Sequence, residues 1–498
     1  MSFMNQSLDY STAEFKNYMD RACGIISDTF SGINERKVFN GKTPAEVQLL
    51  FDEDLPKRPG NFDDILSEIE EKVIPNSTFN MSPYFNAYVI TPNNQAGIIG
   101  EMFAAFLSQN CGKWHLAPSA VEIEKTVIRW IREFLHLPVN QSGILVSGGS
   151  MANLTCLSVA RYANTPPEAR GKGLFGMPPM IIYSSTEVHH CIDKAVDILG
   201  LGRDNMRKIR VNDRFEMDIE MLESQIKEDK ARGLEPFCVV GSAGTVNTGA
   251  IDDFTSINEI CRRYNMWFHV DGAYGAPAAG TDLTGHLYKG MDLADSVAVD
   301  PHKWFYVPIE AGCALFKDER LAKAAFSDVP DYLATDKLAD DERRDYMEYG
   351  VQLSRGFKAL KIWTTFKACG AERISEAIKN DILKSRHLKH LVEKHKNFEV
   401  MGEGPLSVVC FRCNPCEKGL SETDLDQLNE RLLMSIEQDG RTFLTGTKIN
   451  GRTVLRSCFV NHRAELSHVE RVFSIIEELS EALIDSSLRA RQGVGKNI

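Results

Sequence analysis

The sequence predicts an α/β fold in which a mostly parallel, seven-stranded sheet is covered by helices on both faces. Short runs that are apolar throughout recur along the middle of the chain, and helical patterns lie between several of them, for example at 217–232 and 254–264. Strands buried on both faces have this composition, and strand–helix alternation is typical of parallel sheets. The predicted strands are 143–146, 180–184, 208–211, 237–241, 267–270, 296–299 and 313–316.

Two further regions flank this sheet. Apolar residues recur at helical spacing at 11–25 and 62–73, and from 375 onward longer helical patterns alternate with two strand patterns. The sequence thus predicts a helical N-terminal segment at 1–85, a large domain at 86–374 and a small α+β domain at 375–498. In the last part we expect helices at 377–396, 422–438 and 467–483, with strands from 406 and at 452–459.

Composition and charge narrow the class of protein. Of the 498 residues, 43% are hydrophobic and 25% are charged, which is ordinary for a globular chain. The formal net charge of −12 argues against nucleic acid and anionic membranes as partners, because both attract basic surfaces. There is no basic start followed by an apolar core, and the longest apolar stretch, 96–107, contains Glu101 and is too short to span a bilayer. We expect a cytoplasmic protein.

Twelve cysteines are scattered along the chain, and three of them form a CxxCxxC pattern. Cys410, Cys413 and Cys416 could indicate a metal or redox site. The run around Cys410 reads as a strand, in which alternate side chains face opposite ways, and no fourth ligand stands nearby in the sequence. We therefore expect no metal site and reduced cysteines.

The residues that carry chemistry follow the predicted strands, where ligands bind in sheets of this kind. Lys303 lies in Asp-Pro-His-Lys-Trp, directly after the strand at 296–299. A lone lysine in a loop is usually a solvated charge. Flanked by Pro, His and Trp, this one fits a pocket better, where a lysine can lose its proton and attack an aldehyde.

Asp271 ends the strand at 267–270 and precedes Gly272 and Ala273. Its carboxylate could simply be satisfied by backbone N–H groups, because a buried acid is costly without a partner. It could instead hold a pyridine nitrogen protonated, so that the ring accepts electrons from a substrate. Lys303 follows about one strand–helix–strand unit later, which predicts both side chains at the same sheet edge.

Two further motifs precede these residues. Ser147-Gly148-Gly149-Ser150-Met151 leads from a strand into a helix, where two glycines and free N–H groups favour a phosphate. Glu187-Val188-His189-His190 follows the strand at 180–184. Adjacent histidines point in different directions and no third ligand stands at a suitable spacing, so we interpret His189 as an imidazole stacked on a cofactor ring, not as a metal ligand.

In order and spacing, these four motifs resemble the group II pyridoxal-phosphate-dependent decarboxylases, and among them the aromatic L-amino-acid decarboxylases. The resemblance runs from about Pro83 into the C-terminal domain. It implies fold type I of the pyridoxal-phosphate enzymes, the fold of aspartate aminotransferase, with pyridoxal 5'-phosphate as cofactor.

The resemblance also implies roles for single residues. Lys303 matches the Schiff-base lysine, preceded by His302 as in the family, and Asp271 matches the acid on the pyridine nitrogen. Ala273 would lie under the ring, and His189 would stack on it. The further cofactor-binding residues that it implies are Gly149, Ser150 and Met151 at the phosphate, Thr245 in the pocket lining, and Thr91 near the cofactor and the substrate carboxylate.

Tyr332 matches the tyrosine of a mobile loop in the family. The resemblance implies that it gives a proton to the α-carbon of the substrate, and the charged stretch at 336–345 reads as its lid. In the family this loop reaches the neighbouring subunit's site. The resemblance therefore implies a homodimer with active sites at the interface, embraced by the helical segment at 1–85.

Three positions bear on which side chain the substrate carries. Trp114 matches the family's aromatic pocket, Gly112 stands where many relatives carry a bulky aromatic residue, and Ser354 stands where indole-preferring relatives often carry glycine. A serine at 354 takes up space in the pocket and offers a hydroxyl, which favours phenyl or phenol side chains of the substrate. The absence of a side chain at Gly112 returns space to the pocket. The resemblance thus implies decarboxylation of Phe, Tyr or Trp to the amine.

Three alternatives remain. They are a decarboxylase of glutamate or diaminobutyrate, an aldehyde-forming relative that uses oxygen, and a non-catalytic relative that binds a partner. Tyr332 and His189 favour simple decarboxylation over aldehyde formation. Intact Lys303, Asp271 and His189 argue against the non-catalytic relative.

Overall fold

The computed structural model describes residues 8–327, 343–416 and 419–494. Its central sheet has seven strands in the spatial order β1-β7-β6-β5-β4-β2-β3. These strands are β1 (Ser142–Val146), β2 (Met180–Ser185), β3 (Met206–Ile209), β4 (Glu235–Ser242), β5 (Trp267–Asp271), β6 (Ser296–Val299) and β7 (Gly312–Phe316). Strand β7 pairs antiparallel with β1 and β6, and the other pairs are parallel, which confirms the predicted fold class.

Six of the seven predicted strands lie within a residue or two of the observed ones, because these strands are buried almost throughout. The prediction for β3 was shifted toward the C-terminus by two residues. In the structure Met206 and Ile209 are buried in the sheet, whereas Val211 forms an antiparallel bridge with Met217. Apolar character alone could not separate the strand from this short hairpin.

The described part of the N-terminal segment, from residue 8 onward, forms three α-helices, α1 (Thr12–Ser31), α2 (Pro44–Phe51) and α3 (Phe62–Glu68), and α3 continues into a short π-helical turn at Ile69–Val73. Ser11 and Thr43 each cap the following helix in a capping box, which fixes where α1 and α2 begin. Helix α1 buries only Ile25 and Thr29, and α2 buries no residue within the chain. These helices therefore leave much of their apolar surface uncovered.

Helices pack against the central sheet and around its edge. They are α4 (Gln95–Leu107), α5 (Pro118–Phe134), α6 (Gly149–Ala163), α7 (Ala169–Lys172), α8 (Cys191–Ile198), α9 (Ile219–Ala231), α10 (Phe254–Tyr264) and α11 (Glu319–Phe326). Helix α5 buries Val121, Val127 and Ile131, as expected of an amphipathic helix on a core, and it also buries the charged residues Glu124 and Arg132. One large apolar core joins these helices to the sheet.

The C-terminal part has its own smaller core. Its elements are α12 (Ala359–Lys394), β8 (Phe398–Glu403), β9 (Val408–Cys413), α13 (Glu422–Asp439), β10 (Thr445–Ile449), β11 (Arg452–Cys458) and α14 (Leu466–Val494). The four strands form an antiparallel sheet in the order β10-β11-β9-β8. Helix α12 runs across the predicted domain boundary at 374/375 with a kink at Gly370 (φ 73°), so that boundary stays a prediction.

Two features of this part bear on the sequence analysis. Strands β8 and β10 were not predicted, because edge strands that are half exposed lack a strong apolar pattern. In β9, Cys410 packs into the large core and Cys413 into the smaller one, so the two thiols lie on opposite faces.

Among the described residues, no helix is long and apolar enough to cross a membrane.

Candidate active site

A cavity of about 360 Å³ opens where the parallel strands of the central sheet end. The alignment of β5 with β6 places Asp271 opposite Ala298, two residues before the turn that begins at Asp300. The carboxyl ends of neighbouring parallel strands meet at one edge, so residues distant in sequence converge there. The predicted residues that line this cavity are Gly149, Ser150, Met151, His189, Thr245, Asp271, Ala273, His302 and Lys303.

Lys303 lies in the turn after β6, and its side chain is 23% exposed. Its Nζ is 3.1 Å from Asp300 Oδ2. Burial by itself would lower the pKa of Lys303, but attraction to Asp300 and Asp271 outweighs burial and the pKa is raised. In this state Lys303 is an ammonium ion, so it must give up a proton before it can act as a nucleophile.

Asp271 is buried at the end of β5, with 8% of its surface exposed. Its Oδ1 accepts a hydrogen bond of 3.2 Å from the backbone N–H of Ala273. This is the one hydrogen bond to the carboxylate from the described part of the chain, and it leaves acceptor capacity on a group that lines the cavity. The side chain of Ala273 is small, so a flat ring can lie beside it.

The glycine turn meets the N-terminus of α6, a helix of 15 residues with no side chain capping it. A Cβ atom on Gly149 would lie 2.7 Å from Asp300 Oδ2 and 3.0 Å from the Ala273 Cβ, and one on Gly148 would lie 3.1 Å from His302 Cε1. Any other residue would therefore fill the cradle. Free N–H groups and the positive end of the helix dipole make it a site for an anion such as a phosphate.

His189 lies two residues before the start of α8 and is partly buried. Its Nδ1 accepts a hydrogen bond of 3.3 Å from the backbone N–H of Cys191, which fixes the ring orientation. Burial lowers the pKa of His189, with Lys303 and His190 adding to the effect and Asp271 opposing it. A neutral imidazole beside the cavity can stack on an aromatic ring without repelling a protonated one.

Thr91 approaches from a different direction. Its side chain is 4% exposed, and its hydroxyl donates a hydrogen bond of 3.0 Å to the backbone carbonyl of His302. The structure therefore brings Thr91 to the turn that carries Lys303, although it does not line the cavity itself.

A second cavity of about 480 Å³ shares His189 and Lys303 with the first and extends to β10 and β11. It contains Arg456, which is 2% exposed and which the sequence analysis missed. Its guanidinium donates to the carbonyls of Val246 (2.8 Å) and Tyr88 (3.1 Å), while Nη2 has no hydrogen-bond partner among the described residues. An arginine in a C-terminal strand gives no sequence signal that it will face the site.

Asp300 is the other residue that the sequence analysis missed. It is 1% exposed, and it faces both Lys303 and the glycine cradle. Its place three residues before the lysine was a usable signal, because the motif itself contains the acid.

Three predicted substrate residues lie away from both cavities within the chain. Gly112 packs against the backbone carbonyl of Leu353, next to Ser354. The indole of Trp114 donates to Glu122 Oε1 (2.9 Å). None of Gly112, Trp114 and Ser354 lines either cavity, so their contact with a substrate stays a prediction that needs a second subunit. Tyr332 and most of the predicted lid lie outside the described residues.

Comparison with known proteins gives one family and close structural neighbours. Residues 44–414 match the pyridoxal-dependent decarboxylase conserved domain. The chain is 29% identical to an aromatic-L-amino-acid decarboxylase of Bacillus atrophaeus, over 96% of this chain and 98% of the relative. It is also 29% identical to a phenylacetaldehyde synthase of Petunia hybrida, over 95% of each chain. The crystal structure of Oryza sativa TDC with PLP and tryptamine superposes with a TM-score of 0.90 at 25% identity, covering 96% of this chain and 100% of that one.

Proposed function

Because this chain belongs to the family of pyridoxal-dependent decarboxylases, we propose that it converts an aromatic L-amino acid to the corresponding amine and carbon dioxide. The enzyme is a carboxy-lyase with pyridoxal 5'-phosphate as cofactor. The observation that carries the proposal is the convergence of Lys303, Asp271, His189 and the glycine cradle on one cavity. When bound, the cofactor supplies an electron-accepting ring that stabilises negative charge at the substrate α-carbon.

The proposal assigns a task to each of these residues. The N-terminus of α6, with Gly149, Ser150 and Met151, holds the phosphate, and Asp271 keeps a proton on the ring nitrogen. Ala273 and His189 would hold the ring between them. Lys303 would anchor the cofactor and would yield that place to the substrate amine. Thr245 and His302 line the cavity, and Thr91, whose hydroxyl bonds to the carbonyl of His302, is proposed to act near the substrate carboxylate.

An aromatic substrate is supported by the relatives, which include an aromatic-L-amino-acid decarboxylase, and by Trp114 in the stretch that resembles the family's aromatic pocket. Ser354 and Gly112 depart from the family pattern and bear on which aromatic side chain fits. One observation favours a second candidate. Arg456 is buried and lines a cavity that Lys303 also lines, and its Nη2 has no hydrogen-bond partner among the described residues, so a carboxylate that reached this guanidinium would supply one. That carboxylate could belong to the side chain of an acidic amino acid.

A panel of L-amino acids separates these candidates. Purified protein with pyridoxal phosphate is incubated with Phe, Tyr, Trp, Glu, Asp and diaminobutyrate, and amines and aldehydes are measured by chromatography. We expect amine from one or more aromatic substrates and no aldehyde. Amine from Glu or Asp alone would replace the aromatic assignment by the acidic one, and aldehyde as main product would place the enzyme with the aldehyde synthases.

Tyr332→Phe tests the proposed protonation step. A phenol can give a proton to the α-carbon, and phenylalanine cannot, so we expect amine yield to fall about 10²-fold or more and cofactor binding to stay unchanged. Amine yield and cofactor absorbance are measured on the same samples. Tyr162→Phe removes a hydroxyl from α6 instead and is the matched control. An unchanged amine yield in Tyr332→Phe would remove Tyr332 from the mechanism.

We also propose that the enzyme is a cytoplasmic homodimer with its active sites at the interface. Helix α4 exposes a row of apolar side chains, Ile99, Met102, Phe103, Phe106 and Leu107. Gly97 and Gly100 pack tightly against Pro308 and α12, so this row lies on the outer face. With the uncovered faces of α1–α3, this row is an apolar surface that a second copy would bury. We expect sedimentation equilibrium to give twice the chain mass, and a monomer at micromolar concentration would contradict the proposal.

A further inference from the structure

Asp300 has a buried carboxylate that none of the roles above explains. Its Oδ2 lies 3.1 Å from Lys303 Nζ and 3.7 Å from His302 Nε2. Its Oδ1 is buried and has no hydrogen-bond partner among the described residues. A buried carboxylate oxygen without a donor is costly, and such atoms are rare in folded proteins.

The neighbours of Asp300 are oriented toward it. Nδ1 of His302 accepts a hydrogen bond of 3.0 Å from the backbone N–H of Ala311, so the neutral ring carries its proton on Nε2, which faces Asp300. Lys303 supplies the nearest positive charge. The other titratable groups whose electrostatics involve Asp300 are His189 and Cys191 at the start of α8 and Cys313 on β7, and Asp271 on β5 acts on the same lysine.

Asp300 also faces the phosphate cradle. A Cβ on Gly149, the first residue of α6, would lie 2.7 Å from Asp300 Oδ2. An ionised carboxylate there would repel a phosphate at the same helix N-terminus. Lys303, in turn, must lose a proton before its nitrogen can attack an aldehyde. Both problems disappear if the proton moves from Lys303 to Asp300.

We propose that Asp300 takes the proton that Lys303 loses on cofactor capture, and that the resulting neutral acid donates a hydrogen bond in the phosphate cradle. This rests on the proposed role of Lys303. The ammonium of Lys303 gives one proton to Asp300, and the free electron pair of Nζ attacks the aldehyde carbon. A C=N bond replaces the C=O bond, and the oxygen leaves as water with the two remaining protons of Nζ. No proton is left over.

Infrared difference spectroscopy tests the proton's destination directly. Apoenzyme is mixed with pyridoxal phosphate, and the carbonyl stretch of a protonated carboxylic acid is followed. We expect this band to appear in the unaltered enzyme and to be absent in Asp300→Asn. Asp253→Asn, which replaces an exposed helix cap by another good cap, is the matched control and should keep the band. Absence of the band in the unaltered enzyme would overturn the proposal without any variant.

The rate of cofactor capture gives a second readout. In Asp300→Asn the proton of Lys303 must leave to solvent, so we expect capture, followed by cofactor absorbance, to be about 10-fold slower or more. Equal capture rates would overturn the proposal. Borohydride trapping followed by peptide mass spectrometry shows separately whether the cofactor sits on Lys303, so a failure of that assignment is distinguished from a failure of the role of Asp300.

Discussion

Lys303→Ala should lower kcat by about 10²–10⁴-fold or more on whichever amino acid proves to be the substrate. The variant loses the proposed anchor of the cofactor and the only ammonium ion among the described residues that lines the main cavity. It also leaves Asp300 without its ion-pair partner at 3.1 Å. We expect the fall in kcat to exceed any change in KM, because the substrate side chain is bound elsewhere.

The measurement pairs turnover with covalent trapping. After borohydride reduction, the unaltered enzyme should carry the cofactor on the peptide that contains Lys303, and the variant should carry none. Lys317→Ala removes an exposed lysine just after β7 and is the matched control, with expected activity equal to that of the unaltered enzyme. Turnover of Lys303→Ala within a few-fold of normal would show that another residue anchors the cofactor.

The location of the site could be predicted from the sequence because its motifs are anchored to buried strands. Asp271 ends β5 and Lys303 follows β6, and parallel pairing brings such strand ends to one edge whatever the loops do. The glycine and alanine of the phosphate cradle could also be predicted from the sequence, because the close packing there requires small residues. A Cβ on Gly149 would collide with Asp300 and Ala273. Local sequence is therefore enough to predict the location of a site residue wherever that residue directly follows a buried strand.

The missed features depend on contacts that are distant in sequence. Arg456 reaches the second cavity only because the C-terminal sheet packs beside the large domain, and its partners Val246 and Tyr88 are more than 200 residues away. Edge strands β8 and β10 carry too few apolar residues to be recognised. Gly112, Trp114 and Ser354 were predicted from a resemblance, and a single chain does not bring them to Lys303.

Behind Lys303 lies a buried network centred on Asp381 of α12, whose loss should have the largest effect on stability. Asp381 is fully buried, and its Oδ2 accepts from Trp304 Nε1 (3.0 Å) and from the hydroxyl of Tyr306 (2.7 Å). Its Oδ1 accepts from Lys384 Nζ (2.8 Å), and that lysine is 4% exposed. Trp304 and Tyr306 are the first and third residues after Lys303, and one carboxylate holds both.

Asp381→Ala should lower the free energy of unfolding by about 3–5 kcal/mol, because it leaves the Lys384 ammonium buried without its counter-ion. Urea unfolding of the holoenzyme measures the shift. Asp381→Asn keeps the shape and one acceptor, so we expect a smaller loss. Asp282→Ala breaks an exposed ion pair with Lys379 and should cost no more than about 1 kcal/mol.

This network also joins stability to chemistry, since it holds the turn that carries Lys303 through Trp304 and Tyr306. The Trp304 ring stacks on Tyr274 at 5.0 Å, and Tyr274 belongs to the segment that follows Asp271. Loosening Trp304 should therefore disturb both ends of the cofactor site and slow cofactor capture in Asp381→Asn under conditions where the variant is fully folded. If that variant captured the cofactor at the normal rate, the network would serve the fold alone, and the positions of Lys303 and Asp271 would depend on their strands without help from α12.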